Sequence, residues 1–246
     1  MKFGLIGYPL THSFSQEYFF HKFQALGLEG FSYDNFPLVD IEEVFPLLQK
    51  DFFGFNVTIP YKEKIFNYLN DIDPEAKTIG AVNTIVNTGN HSWKGFNTDA
   101  SGFRESLLDW LDSNSIPERA LVLGTGGASK AVIYVLNQLN IEVSVVSRGF
   151  NGKFTYAELN RQIITDHQLI INTTPVGMFP HIDQLPEIPY AAITPDHWLF
   201  DVIYNPGNTL FLTRGEQAGA RIKNGLEMLR LQADHAWAIW KLYGKF

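Results

Sequence analysis

Two segments of the chain carry side chains suited to moving a proton. Thr58-Ile59-Pro60-Tyr61-Lys62 puts a proline where a first helical turn would begin, with a lysine shortly after it. A cation near a helix N-terminus is electrostatically disfavoured, which suits Lys62 to proton transfer; the plainer reading is an exposed lysine beside Glu63 and Lys64. Asp99 follows Asn97-Thr98 and precedes Ala100-Ser101-Gly102. It either caps the next helix or presents a carboxylate that accepts a hydroxyl proton and holds Lys62.

Other residues are suited to binding. Ser13 and Gln16 have capping-box spacing, while Ser13 and Ser15 together with free helix-end N–H groups would make a cradle for a carboxylate. Thr58 and Asn83-Thr84 offer neutral hydrogen-bonding groups at strand ends, suited to reading hydroxyls on a polar ring or, taken singly, to turn and edge chemistry. Gly124-Thr125-Gly126-Gly127-Ala128-Ser129 lies between an expected strand and an expected helix. There the glycines let the backbone turn tightly and approach a pyrophosphate, held by free N–H groups at the helix start. The next strand ends Val145-Val146-Ser147-Arg148, with no acid at the place where an NAD-binding strand carries one; Arg148 either pairs with the 2′-phosphate of NADP, which favours NADP over NAD, or is a solvent-exposed loop arginine. The seven histidines are scattered without a metal-ligand pattern, so no metal is expected.

The elements that must position these residues alternate. Phe3–Gly7, Phe31–Phe36 and Gly54–Ile59 read as strands, and 16–26, 41–50 and 61–70 as helices. Residues 81–87 and 92–97 flank Thr88-Gly89-Asn90-His91, a hairpin turn by composition, and a helix is expected over 100–111. Strand, glycine turn, helix 129–139 and strand 142–146 make a βαβ unit; 169–172 and 198–203 read as further buried strands, and 226–243 as a long closing helix. The fold class is therefore α/β in two domains. Residues 1–99, with the C-terminal helix 226–246 packing back, form the first, and 100–225 form a Rossmann-like dinucleotide-binding second.

With no cysteine, disulfides and thiolate metal sites are excluded, and the default compartment is the cytoplasm. No apolar run reaches membrane-spanning length. A net charge of −7 without a clustered basic stripe disfavours nucleic acid and anionic lipid, leaving a small-molecule enzyme.

In order, GYPLTHSFS, NVTIPYK, GAVNT, FNTDASGF, GTGGAS, NTTPVGM, FDVIYNP and NGLEMLRLQADHAW resemble the shikimate dehydrogenase family across nearly the whole chain. The resemblance implies NADPH-dependent reversible reduction of 3-dehydroshikimate to shikimate, on the route to chorismate and aromatic amino acids, by a monomer or homodimer. It implies that Ser13 and Ser15 hold the substrate carboxylate. Thr58, Lys62, Asn83, Asp99 and Gln232 would surround the hydroxyls and reacting carbon, with Lys62 and Asp99 as the catalytic pair. Tyr204 would touch substrate and Gly225 would lie near the nicotinamide. Gly124, Thr125, Gly126, Gly127, Ala128, Ser129, Arg148, Asn172 and Thr173 would line the cofactor.

The family often has Asn-Arg-Thr and a further arginine where this chain has Ser147-Arg148-Gly149 and Gly152-Lys153, so Lys153 is expected to compensate in part as a point charge. The alternatives are an NAD-preferring quinate/shikimate dehydrogenase and a non-catalytic ligand-binding relative.

Overall fold

In the computed structural model, which describes residues 1–10, 14–111, 116–149, 151–244 and 246, short apolar strands alternate with helices. The chain divides into two compact units, Met1–Thr98 with Ala233–Phe246, and Asp99–Gln232.

The first unit carries β1 (Lys2–Gly7), α1 (Phe14–Ala25), β2 (Ser32–Pro37), α2 (Val44–Leu48), β3 (Gly54–Val57), β4 (Asp71–Ile72), α3 (Pro74–Ile79), β5 (Thr84–Gly89) and β6 (Ser92–Phe96). Its strands form one mixed sheet in the order β2-β1-β3-β5-β6-β4. β1 is parallel to β2 and β3, whereas β5 is antiparallel to β3 and β6. The β5–β6 hairpin closes through Asn90 and His91, both at positive φ, as its polar turn composition predicts.

Both faces of this sheet are buried. One is covered by Ile6, Val44, Leu47, Phe55, Val57, Ile65 and Trp93. The other is aromatic: Phe3, Phe19, Phe23 and Tyr33 pack with Trp237 and Trp240 from the C-terminal segment. Trp240 sits 4.6 Å from Phe3 between ring centroids, and its indole N–H donates to Ile85 O at 3.0 Å. Gly54 is needed beneath it, since a Cβ there would stand 2.3 Å from the indole nitrogen.

α4 (Thr98–Trp110) leads into the second unit, which contains β7 (Arg119–Leu123), α5 (Gly127–Gln138), β8 (Glu142–Ser147), β9 (Phe154–Thr155), α6 (Arg161–Thr165), β10 (Leu169–Asn172), β11 (Trp198–Asp201), α7 (Leu210–Gln217) and β12 (Arg221–Lys223). These strands form an all-parallel sheet in the order β12-β11-β10-β7-β8-β9. This is the doubly wound order of dinucleotide-binding folds, in which the sequence direction reverses between β7 and β10. Its strands are near-continuous apolar runs because both faces are covered: Leu121, Leu123, Ile170, Leu199 and Phe211 join one core, and α4 packs Phe103 on Phe200 and Trp110 on Trp198. α8 (Leu226–Gly244) is divided, its start grouping with the second unit and Ala233–Phe246 with the first.

One expected helix is absent. Over 61–70 the chain makes only a 3₁₀ turn, Lys64–Tyr68, because the Lys62 carbonyl accepts from Val82 N–H instead of continuing a helical ladder. The α-helix expected to begin just before Lys62 is therefore not formed.

Candidate active site

In the first unit, Thr58 and Lys62 lie on a segment fixed from several sides. Thr58 N–H donates to Ile6 O, Tyr8 N–H to Ile59 O and Tyr61 N–H to Thr58 O. Gly7 makes the approach possible, since a Cβ there would stand 2.4 Å from Thr58 Cγ2. Tyr61 is buried and its hydroxyl points at Leu38 O (2.6 Å) and Val39 O (2.8 Å), anchoring the segment just before the half-buried Lys62. The bond from Val82 N–H to Lys62 O brings that lysine's backbone beside Asn83.

Asn83 is the centre of a buried polar network. Its Oδ1 accepts from Thr98 N–H at 2.6 Å and its Nδ2 donates to Thr98 Oγ1 at 3.0 Å. Thr84 Oγ1 lies 3.2 Å from Thr98 Oγ1 and accepts from Asn56 Nδ2 at 3.1 Å. Asn56 Oδ1 accepts from the Tyr33 hydroxyl at 2.8 Å, and that hydroxyl also bonds Ser15. Burial holds the Tyr33 phenol above its ordinary pKa, against the smaller opposing effect of the Ser15 bond. A continuous chain of hydrogen bonds thus joins Ser15 to Thr98, the residue before Asp99. Ser15 itself is buried near the start of α1. Ser13, with its expected capping and carboxylate roles, lies outside the described residues.

In the second unit, Asp99 is buried in the first turn of α4, which starts at Thr98, so its carboxylate is not at the capping position. Gly102, one turn on, permits close contact with α8: a Cβ there would stand 2.7 Å from Met228 O and 3.1 Å from Gln232 Cβ. That approach sets the buried Gln232 against the first turns of α4. Tyr204 is half-buried on the turn after β11, its phenol pushed up by burial. Gly225 is packed so tightly that a Cβ would meet Val202 O at 2.1 Å.

Gly124 follows β7 at φ +109, where a side chain is strained and a Cβ would stand 2.9 Å from Thr173 Oγ1. Thr125 follows, then Gly126 as the N-cap residue of α5 with open space where a Cβ would be. Gly127, Ala128 and Ser129 form its first turn. Ser129 is buried and donates to Gly126 O at 2.7 Å, closing the turn from within. Free N–H groups, open space and the adjacent reversal of strand order suit a pyrophosphate.

Arg148 is exposed just past the end of β8 and near Tyr156, whose phenol is raised by burial and lowered by the arginine's charge. Lys153 turns the other way, 3.7 Å from Glu142 at the opposite end of β8, so it does not reinforce Arg148 as expected. Thr173 donates its hydroxyl to Leu123 O at 2.6 Å, beside the glycine turn. Asn172 is fully buried, and its part is to shape the loop rather than to face a ligand.

Tyr33, Asn56, Thr98, Asp201 and Thr209 have no role assigned from the sequence, because their partners come together only in the fold. Two buried histidines are structural: His167 bonds Ile163 O and Ser144 Oγ, and His197 bonds Thr194 and Ile164 O. Among the described residues, no group of three or more His, Cys, Asp or Glu is arranged to hold a metal.

The family model of the shikimate dehydrogenase substrate binding domain matches residues 5–85. A curated shikimate dehydrogenase (NADP(+)) of Carboxydothermus hydrogenoformans is 39% identical over 96% of this chain and 90% of its own length. The crystal structure of shikimate dehydrogenase 1 from Peptoclostridium difficile superposes with a TM-score of 0.88 at 37% identity, covering 98% of this chain and 91% of that one. A Thermus thermophilus shikimate 5-dehydrogenase, solved with NADP(H) and shikimate, gives 0.84 at 31% identity, over 98% and 93%. Two units with this strand order and these site residues, on a chain this similar over its length, place it in the shikimate dehydrogenase family.

Proposed function

We propose that this protein catalyses the NADPH-dependent, reversible reduction of 3-dehydroshikimate to shikimate. The observation that carries the reading is the pairing of two features in one chain. A dinucleotide-type glycine turn heads the all-parallel sheet, and Lys62, whose carbonyl accepts from Val82 N–H, lies on the segment beside Asn83, whose own bonds reach Thr98, next to Asp99.

Residues 1–99 with the helix 226–246 serve the substrate, and 100–225, Tyr204 apart, serve the cofactor. Ser13 and Ser15 hold the carboxylate; Thr58, Asn83, Tyr204 and Gln232 hold the ring hydroxyls. The turn from Gly124 through Ser129 holds the pyrophosphate, Arg148 the 2′-phosphate, and the Thr173 and Gly225 segments flank the nicotinamide. When bound, the dihydronicotinamide supplies the hydride that reduces the ketone carbon. As that carbon is reduced, the C=O π pair moves onto oxygen, and the Lys62/Asp99 pair delivers the proton that makes it a hydroxyl; in the reverse direction the pair removes it. Asn83 and Thr98 keep the Asp99 carboxylate where it can act, which lowers the cost of orienting the proton at each turnover.

No helix among the described residues is long and apolar enough to cross a membrane. A cytoplasmic placement is supported by the cysteine-free composition. The test is an assay of purified protein with shikimate or quinate and with NADP⁺ or NAD⁺, following reduced-nicotinamide absorbance. Shikimate with NADP⁺ is expected to give the highest rate. Faster turnover of quinate with NAD⁺, or binding of shikimate without turnover, overturns the proposal.

A further inference from the structure

Asp201 ends β11 with no exposed surface, a carboxylate that the proton transfer above does not use. Three donors converge on it. Asn172 Nδ2, from the end of the neighbouring β10, reaches Oδ1 at 3.1 Å; Ile203 N–H reaches the same oxygen at 3.0 Å; and the Thr209 hydroxyl reaches Oδ2 at 2.6 Å.

Each donor controls a loop at the carboxyl end of the sheet. Asn172, held by Asp201, accepts through Oδ1 from Thr174 N–H (3.1 Å) and Thr174 Oγ1 (2.7 Å), which sets the loop after β10. That loop begins with Thr173, whose N–H and hydroxyl both bond Leu123 O at the edge of the glycine turn. Ile203 lies on the turn carrying Tyr204, and Thr209 is the N-cap residue of α7. The two loops are tied to each other by Phe179 N–H donating to Asn205 O at 3.1 Å.

We propose that Asp201 is a positioning residue for cofactor binding. Its ionised carboxylate fixes the loops after β10 and β11 in the shape that receives the dinucleotide beside Gly124. The inference rests on the dinucleotide reading of that turn. The ionised form suits the geometry, because a carboxylate accepts all three bonds as they stand, whereas a protonated oxygen would donate to Thr209 Oγ1 and leave the threonine's own proton without this partner. Burial pushes the Asp201 carboxyl up to about 6, opposed by the bonds from Thr209, Ile203 and Asn172. A titratable group that feels its charge is Tyr190, from the turn over 190–192; its phenol is held above its ordinary range by burial first, then by the Asp201 charge and Tyr156, while Arg214 of α7 acts to lower it. Tyr190 therefore stays neutral across the range in which Asp201 titrates.

The experiment measures NADP⁺ affinity by titration calorimetry, and thermal stability, for the wild type, Asp201→Asn and Thr209→Val. Asp201→Asn keeps the shape but removes the charge and puts an amide donor where the Thr209 hydroxyl now finds an acceptor. Its NADP⁺ Kd is expected to rise roughly 10- to 100-fold, the usual effect of losing a hydrogen bond to a charged group. Its Tm is expected not to fall in step, since a buried charge has been removed. A purely structural residue would lower Tm with little change in the affinity of the folded protein, and that result overturns the inference.

The second arm covers the case in which Asp201→Asn does not fold. Wild-type affinity for NADP⁺ should weaken as pH drops through about 6. Thr209→Val takes one donor from the carboxylate, so the midpoint should move up by roughly one pH unit. A midpoint that is the same in both proteins belongs to the cofactor's own phosphate, whose pKa is also about 6, and overturns the inference. If the wild type binds no NADP⁺, the dinucleotide reading itself fails. If it binds, and Asp201→Asn binds equally well, only the role of Asp201 fails.

Discussion

Replacing Asn83 by alanine tests whether the polar network of the first unit organises the approach to Asp99. The Asn83 side chain is buried and makes two short bonds to Thr98, accepting from its N–H at 2.6 Å and donating to its hydroxyl at 3.0 Å. Truncation removes both. The buried Thr98 N–H, in the first turn of α4, has no i−4 carbonyl to replace the lost acceptor. An unsatisfied buried donor costs about 1–3 kcal/mol and the second lost bond about 0.5–1.5 kcal/mol, so Asn83→Ala should lose about 2–4 kcal/mol. For a chain of this size that is a drop in Tm of roughly 5–15 °C, read by circular dichroism or calorimetry. Asn83→Asp keeps an acceptor for Thr98 N–H and loses only the donor, so it should fall between the two. Turnover measured well below either transition should drop further in Asn83→Ala than in Asn83→Asp, because the residue after Thr98 is Asp99. A Tm within about 2 °C of wild type for Asn83→Ala, with normal turnover, would show that the network holds nothing in place.

Lys62→Ala should lower turnover by roughly 10²–10⁴-fold in the forward and reverse assays, with a smaller change in shikimate binding; near-normal turnover removes Lys62 from proton transfer. Gly124→Ala forces a side chain to φ +109 and sets a methyl 2.9 Å from Thr173 Oγ1, a strain of about 1–3 kcal/mol, so calorimetry should find NADP⁺ binding weakened at least about ten-fold. Arg148→Ala should raise the KM for NADP⁺ roughly 10- to 100-fold and leave that for NAD⁺ nearly unchanged; equal effects on both would mean the guanidinium does not meet the 2′-phosphate. Asp201 titrates at about 6 in the fold against 3.8 ordinarily, so its folded form favours the proton. Its contribution to stability is therefore largest below pH 3.8 and is lost as pH rises through about 6, by about 3 kcal/mol in all. Chemical denaturation of wild type and Asp201→Asn at several pH values should show the wild type losing that much relative to the variant, and a constant difference would refute it.

The parts legible in the sequence are those whose cause is local. A glycine run between an apolar strand and an amphipathic helix announces the turn at Gly124, and a polar tetrapeptide announces the hairpin at Asn90-His91. The expected helix over 61–70 failed for a non-local reason. Its apolar spacing is helical and Ile65 N–H does bond Tyr61 O, but Tyr61 is anchored to Leu38 and Val39 and the Lys62 carbonyl is taken by Val82. The placement of Lys153 is likewise non-local, since its partner Glu142 is brought near by the pairing of β8 with β9. Asp201 and Asn172, or Tyr33 and Asn56, are single polar letters inside apolar strands, and their pairing depends on which strands adjoin.

The two units meet one physical requirement, polar groups held rigidly at strand ends, by different means. In the first, the Ser15–Tyr33–Asn56–Thr84–Asn83–Thr98 chain is neutral throughout, so burying it costs little once every member has a partner. In the second, a single carboxylate gathers three donors and carries a desolvation cost that the neutral chain avoids. Charge suits that position because a carboxylate only accepts, and accepts through both oxygens, so one side chain can orient an amide, a backbone N–H and a hydroxyl from three separate segments at once. A neutral amide in its place would accept through one atom only and would take from the Thr209 hydroxyl the acceptor it now has. Stability alone would favour an apolar residue at the end of β11; the retained charge is explained by the loops it aligns around the glycine turn.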